Sequence, residues 1–365
     1  MFTSLGYVTE LEEAAERGKS EIRSRMTVGE ADVRRAVGRA FPDADSITIH
    51  GDPMAGAGGV TYVVSLGDPE SKYVLKFAPE EAADHLRNGV AVYDYLNART
   101  EVPVPSVRAI ETEDTEVPYP YAIVEYVWGD ELSSIEQFES FPRDRQRSIV
   151  REMGRVLGTL HAQTQFETYG ALEGETTRDL TVKNGASDWR DYYRETYEEY
   201  ATAADDSPVS DLVAEAYEYF EEASATVRPE SGPVLLHADF TPDNLITEDG
   251  SVRAVLDWEH AKAGCSAREF WEVEENVVRI FQSDEVRDDF RAAFYGGYGE
   301  IEPTSETFLA LKSLFAVGEF TRIETVRSVL AELTGELDAA EFRDRAEREL
   351  DARIRDAETR LEELA

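Results

Sequence analysis

The chain has 365 residues, 42% of them hydrophobic, with 76 acidic against 37 basic side chains and a formal net charge of −39. That length exceeds one comfortable core and predicts two lobes. The charge excludes nucleic acid as a partner, because the basic footprint such binding needs is missing. Cys265 is the only cysteine, which excludes an intrachain disulfide and a cysteine metal cluster. Acid is spread along the whole chain and only six residues are lysine, the composition of a halophilic protein from a salt-saturated cytoplasm. At about 1 M salt the Debye length is ~3 Å, so most of the self-repulsion is screened, and the acidity reports habitat more than ligand. No basic leader precedes an apolar stretch, and no apolar run approaches the roughly 18 residues of a membrane span, so a soluble cytoplasmic protein with no membrane partner is expected.

In chain order, residues 8–24 read as a charged helix, and a second begins at Val28 with Val33, Val37 and Phe41 as its apolar face. Segments 46–49, 61–66 and 73–77 are rich in β-branched and aromatic residues and predict an antiparallel sheet. Between the first two lies a glycine-rich turn, residues 51–59, whose backbone amides could approach a phosphate with no side chain between; Gly56, Gly58 and Gly59 are its candidate contacts. It is not a P-loop, since no Gly-Lys-Ser/Thr follows. Lys76 stands inside an apolar strand, a notable place in a chain so poor in lysine. From Pro79 a helix is predicted to about Leu96, with Leu86, Gly89, Tyr93 and Leu96 on one face.

Val102-Pro103-Val104-Pro105 is an extended connector, and residues 121–127 form a buried-type strand that Trp128-Gly129-Asp130 breaks. The lobe boundary therefore falls near residue 128, dividing residues 1–128, with leading helices in 1–45, from residues 129–365. The second part is predicted to be mainly helical. Ile149, Met153, Val156, Leu157 and Leu160 form a stripe ending at His161, read as structural. Residues 188–201 gather Trp189, Tyr192, Tyr193, Tyr197 and Tyr200, read as core, and residues 212–227 form another amphipathic helix. Further helices are predicted over 270–281, 286–295 and 306–333. The tail, 340–364, carries Leu350, Ile354, Ala357, Leu361 and Leu364 at heptad-like spacing. Fewer than two heptads predict packing on its own lobe ahead of a dimer contact, and monomer and homodimer both stay open.

The chemistry concentrates at residues 234–259. Val234-Leu235-Leu236 delivers His237 and Asp239 into a loop, Leu245-Ile246-Thr247 follows as a strand, and Asp249-Gly250 signals a tight turn. The returning strand carries Asp257 back beside Asn244, so a carboxylate and a carboxamide oxygen converge where a hard cation could bind with waters and phosphates. Asp239 stands apart, free to face an acceptor hydroxyl. Phosphoryl transfer needs alignment, charge neutralisation and one carboxylate to take the hydroxyl proton, and this segment could supply them.

Leu236-His237-Ala238-Asp239-Phe240-Thr241-Pro242-Asp243-Asn244 and Val255-Leu256-Asp257-Trp258-Glu259 resemble the catalytic loop and metal-binding motif of the aminoglycoside phosphotransferase and choline kinase family. The resemblance covers about residues 50 to 300 and is most specific at this loop. It implies an α+β, bilobal protein-kinase-like fold: an N-terminal antiparallel sheet lobe with helices that binds nucleotide, and a larger, mainly helical C-terminal lobe. It implies ATP and Mg²⁺ as cofactors and transfer of the γ-phosphoryl group to a hydroxyl of a small acceptor, such as an aminoglycoside, an amino alcohol or a sugar-like compound. By the same resemblance Asp239 is the catalytic base, Asn244 and Asp257 are magnesium ligands, and His237 organises the loop. Glu259 assists metal or substrate, or anchors a loop. Lys76 contacts the nucleotide's phosphates, and backbone groups from Glu125 to Val127 contact adenine.

Two departures stand out. Gly89 occupies the helix position where the family places a glutamate to pair with the strand lysine, leaving Glu81 and His85 as stand-ins. Gly264-Cys265-Ser266-Ala267-Arg268-Glu269-Phe270 replaces the usual Gly-Asp-Pro and Asp-Leu stretch, with Glu269 in the place of the structural aspartate. The missing glutamate motivates a rival reading, a catalytically weak nucleotide-binding regulator. An atypical protein kinase is disfavoured, since no Ala-Pro-Glu sequence follows Asp257.

Overall fold

A computed structural model describes residues 26–56, 59–113, 116–132, 135–175, 179–204, 207–278, 284–322 and 339–364. The helix expected over residues 8–24, and Gly58, lie outside them. The first half builds a five-stranded antiparallel sheet from β1 (Ile47–Gly56), β2 (Gly59–Leu66), β3 (Asp68–Phe77), β4 (Val107–Glu111) and β5 (Tyr121–Glu125), in the order β1-β2-β3-β5-β4. Alternation drives it: Val60, Tyr62, Val64, Leu75 and Phe77 are buried against Val33, Ala36 and Val37 of α1 (Glu30–Ala40).

Much of the glycine-rich segment is strand, and the tip of the expected turn, residues 57–58, lies outside the described residues. Strand β1 continues through it to Gly56, which pairs with Gly59, and a register irregularity between His50 and Met54 absorbs the extra length. Gly59 has φ +145° and an added Cβ would lie 1.9 Å from the Phe77 carbonyl oxygen, so close approach of β2 to β3 by itself requires glycine there.

After a short 3-10 turn, Glu80–Ala82, helix α2 (Ala83–Arg99) crosses behind the sheet. Its Val92, Tyr95 and Leu96 enter the same core as Ile149, Met153, Leu157 and Leu160 of the second half, which ties the two halves together. That half holds α3 (Ile135–Ser140), α4 (Arg143–Gln163), α5 (Trp189–Ala203), α6 (Ser210–Ala223), α7 (Ser266–Val278), α8 (Asp284–Tyr298), α9 (Glu306–Gly318) and α10 (Ala339–Glu363). The helix expected over 306–333 stops at Gly318 in a 3-10 turn, Glu319–Thr321, which brings the buried Glu319 onto Arg268; residues 323–338 lie outside the described residues. Helix α10 buries Phe342, Ala346, Leu350 and Ala357 against Leu212, Val317 and Phe320, so the tail packs on its own lobe.

The second half is less purely helical than expected. It carries β6 (Asp130–Glu131), β7 (Gly170–Glu175), β8 (Asp179–Val182), β9 (Val234–Leu236), β10 (Leu245–Glu248), β11 (Ser251–Val255) and β12 (Lys262–Gly264). They form two small antiparallel sheets, β11-β10-β6 and β8-β7-β12-β9, and the candidate site is suspended between them.

Candidate functional site

The loop between β9 and β10 is held by side chains that face inward. Buried His237 has one ring nitrogen, Nε2, 2.7 Å from the Leu256 carbonyl oxygen and the other, Nδ1, 3.2 Å from the Asp239 amide. A carbonyl only accepts and an amide only donates, so Nε2 carries the proton and Nδ1 accepts. Burial lowers the His237 pKa, outweighing Glu269 and the Leu256 carbonyl, and the ring stays neutral. Phe240 and Trp258, both buried, pack their rings on His237 with centroids 5.8 and 4.4 Å away.

Ala238 takes φ +64°, a left-handed conformation that costs a non-glycine residue about 1–2 kcal/mol. Buried Glu269 offsets that cost. Its Oε1 accepts the Ala238 amide at 2.7 Å, and its Oε2 lies 2.9 Å from His161 Nε2, whose Nδ1 lies 2.9 Å from the Tyr298 hydroxyl. Burial pushes the Glu269 carboxyl up, yet His161 and the Ala238 amide outweigh it and hold the group below its usual range. A buried chain of Tyr298, His161 and Glu269 therefore braces the loop from beneath.

Asp239 projects from that loop, exposed to solvent. Its carboxylate accepts the Asn244 amide at 3.0 Å, and the same amide donates to the Asp239 carbonyl at 2.8 Å. Partial burial of the carboxylate raises the Asp239 pKa, with His237 and Asn244 opposing. Asn244 itself sits in a 3-10 turn, Pro242–Asn244, at the foot of the β10–β11 hairpin. The turn Asp249-Gly250 has φ of +50° and +88°, the left-handed pair a two-residue hairpin uses. Leu245 then faces Val255, and the Leu256 amide donates to the Asn244 carbonyl at 2.8 Å. The hairpin, with a one-residue register shift between Ile246 and Thr247, thus brings the chain at Leu256–Asp257 beside Asn244.

Asp257 has φ +55°, and its amide donates to the Tyr93 hydroxyl of α2 at 3.2 Å. Its carboxylate, 60% exposed, accepts from Lys76 Nζ at 3.2 Å, and Lys76 also donates to Glu259. Burial would lower the Lys76 pKa, but Asp257 and Glu259 together raise it. Neither Glu81 nor His85 fills the place left by Gly89: the Lys76 ammonium pairs with the two carboxylates of this loop, and His85 lies instead against the His260 ring, centroids 6.1 Å apart.

Along the strand predicted to contact adenine, the Glu125 amide is committed to Ser106 and the Tyr126 amide to Lys72, whereas the Val127 amide has no hydrogen-bond partner among the described residues. Exposed Trp128 follows, with Lys72 Nζ 4.4 Å from its ring. Gly56 and Gly59 lie at the far end of the first hairpin. The structure therefore gathers Lys76, His237, Asp239, Asn244, Asp257 and Glu259 in one region, and Tyr93, His161, Phe240 and Trp258 join them as supports that sequence reasoning did not assign to it.

The mostly exposed Asp257 carboxylate, with Lys76 on it, and the Asn244 carboxamide, bonded to Asp239, flank the open end of one hairpin, a donor set that suits a hydrated divalent cation carrying phosphate oxygens. Together with the sheet above and the helices below, it belongs to the class of phosphotransferases with a protein-kinase-like fold. A profile of the phosphotransferase enzyme family matches residues 53–304, well over half of the chain. The chain belongs to that family: it is a small-molecule kinase in class, an enzyme that transfers a phosphoryl group to a hydroxyl. Solved structures share the fold. A candidate aminoglycoside phosphotransferase from Ralstonia eutropha is 16% identical, with TM-score 0.62 over 91% of this chain and 98% of that one. A thermostable mutant of aminoglycoside phosphotransferase APH(4)-Ia, in ternary complex with AMP-PNP and hygromycin B, is 17% identical, with TM-score 0.57 over 89% and 98%. At such identities the likeness carries the fold alone.

Proposed function

We propose that the protein transfers the γ-phosphoryl group of ATP, held with Mg²⁺, to a hydroxyl of a small acceptor. The observation that carries this reading is one hairpin foot at which Lys76 reaches Asp257 and Asn244 reaches Asp239, the two joined through the Leu256 amide on the Asn244 carbonyl. Asn244 and Asp257 would hold the metal, which supplies neutralisation of phosphate charge when bound. Lys76 holds the phosphate chain, and the backbone amides of Gly56, Gly58 and Gly59 are its further proposed contacts. Val127 and the Glu125 carbonyl receive the adenine edge, since the other amides of that strand are occupied. Asp239 orients the acceptor hydroxyl and accepts its proton; its raised pKa brings its basicity closer to that task. His237, neutral and fully bonded, positions the loop and moves no proton. In this reading residues 1–128 bind nucleotide and residues 129–365 carry catalysis and the acceptor.

The acceptor class suggested by a neighbour crystallised with hygromycin B is an aminoglycoside; amino alcohols and sugars are tested beside it. The test is a screen of these compounds with labelled ATP in molar KCl, the salt that the −39 charge calls for. Transfer of label to an acceptor supports the reading. Activity that persists in the Asp239→Asn variant would falsify the assignment of the base.

A further inference from the structure

We infer that Glu259 is the positioning residue for Lys76, replacing a helix carboxylate with one from the metal-binding loop itself; the inference rests on the kinase reading above. Three observations support it. Lys76 Nζ on β3 donates to Glu259, whose side chain is 19% exposed and so sheltered from competing water. Gly89 on α2 stands where Glu259 needs space: a Cβ added there would lie 3.3 Å from Glu259 Cγ and 3.6 Å from its backbone nitrogen. Tyr93, four residues along α2 from Gly89, fixes the same loop through the Asp257 amide.

The arrangement has a chemical logic. Lys76 touches two carboxylates, but Asp257 is the exposed one, suited to a cation, and once engaged it has less to offer the lysine. Glu259 is then the carboxylate that remains to hold the ammonium in line with the phosphates. A glutamate on α2 at position 89 would compete for the volume Glu259 fills, so glycine on the helix and glutamate on the loop form one solution. Helix α2 still contributes, as a wall. The absence of a helix carboxylate, which on sequence alone suggests a weak regulator, is thereby accounted for within a working site.

The experiment measures ATP affinity by calorimetry in molar KCl, once with EDTA and once with Mg²⁺, for wild type, Glu259→Gln, and the double variant Gly89→Glu with Glu259→Ala, each checked for folding by its melting temperature. Loss of one charge-assisted contact predicts about tenfold weaker ATP binding in Glu259→Gln under both conditions. The double variant, with its carboxylate returned to the helix, recovers most of that loss. A loss seen only with Mg²⁺ makes Glu259 a metal ligand and overturns the inference, as does unchanged affinity. Wild type that binds no ATP in either condition overturns the kinase reading, and the inference falls with it.

Discussion

The loop that carries Asp239, Asn244 and Asp257 and the buried cluster around Arg268 are both built from acids, bases and aromatics, yet only the second has its charges matched inside the protein. Arg268 Nε donates to Glu319 at 2.7 Å and its Nη1 to Glu272 at 2.9 Å, while the Tyr197 hydroxyl donates to Glu319 at 2.9 Å. Asp239 instead faces solvent with one amide donor, and Asp257 holds a left-handed conformation with its carboxylate mostly exposed. Matched buried charges fix one geometry; charges left partly unmatched at the surface of a braced loop are available to a ligand. The two regions should therefore respond oppositely to substitution, the first in activity and the second in stability.

The largest expected effect is on the first. Asp239→Asn should lower turnover by roughly 10²–10⁴ with ATP affinity retained. It should not lower the melting temperature near pH 7. The Asp239 pKa is raised in the folded state, so the folded chain binds more protons between the ordinary value and the raised one, and stability falls as pH rises through that window. Above it the ionised carboxylate opposes folding, and asparagine removes that opposition. A large drop in melting temperature would place Asp239 with the structural charges instead.

Arg268→Ala comes next and inverts the pattern. It strands the Glu319 carboxylate, which is held well below its usual range against burial chiefly by Arg268. Removing one partner of such a pair costs about 3–5 kcal/mol, read by denaturant unfolding. A loss under about 1 kcal/mol, the level of an exposed pair, would mean water reaches Glu319 and the cluster is not closed.

How far the sequence announced these two regions follows from the range of their contacts. The hairpin of the candidate site was legible because Asp249-Gly250 dictates its turn and the strands pair locally, with a one-residue register shift at Ile246–Thr247 setting Leu256 against Asn244. The stripe Ile149, Met153, Val156, Leu157 and Leu160 was legible for the same reason, through helical periodicity, and all five are buried. Strand β12 was not: Lys262-Ala263-Gly264 has no strand composition, and only pairing with Leu236 and Ala171, far away in sequence, makes it one. The Lys76–Glu259 contact likewise spans 183 positions, and its sole local trace is the glycine at position 89. The brace formed by Glu269 and His161 spans 108 positions, so Glu269 was placed by its motif alone and His161 was read only as the end of a core stripe.

Lys262 sharpens the contrast within the matched cluster. The Arg268 guanidinium, followed by burial, lowers its pKa to about 8. An unfolded lysine titrates near 10.4, so between about pH 8 and 10.4 the unfolded chain binds more protons and stability attributable to Lys262 rises with pH. At pH 7 the full opposition is present, and Lys262→Met should raise stability by roughly 1–3 kcal/mol, a gain that shrinks toward pH 10. Thermal melts of both proteins at pH 7 and 10 check it; a destabilised variant at pH 7 would show that Lys262 is a needed member of the cluster.

The smallest effect lies at the site itself and tests whether its charge is as unfinished as the geometry implies. Asp239 must be ionised to accept a proton, so kcat/KM should fall on the acid side through its free-enzyme pKa, with a midpoint above the ordinary carboxylate value of about 3.9. The Asn244 amide favours the carboxylate, and His237 acts in the same direction. Removing that amide in Asn244→Ala should raise the Asp239 pKa further, measured by carbon NMR of the carboxyl in the metal-free protein. A pKa that stays put or falls would mean that solvent, and not Asn244, supplies the carboxylate's hydrogen bonds, and the loop would then be more open than the distances of 2.8 and 3.0 Å from that amide describe.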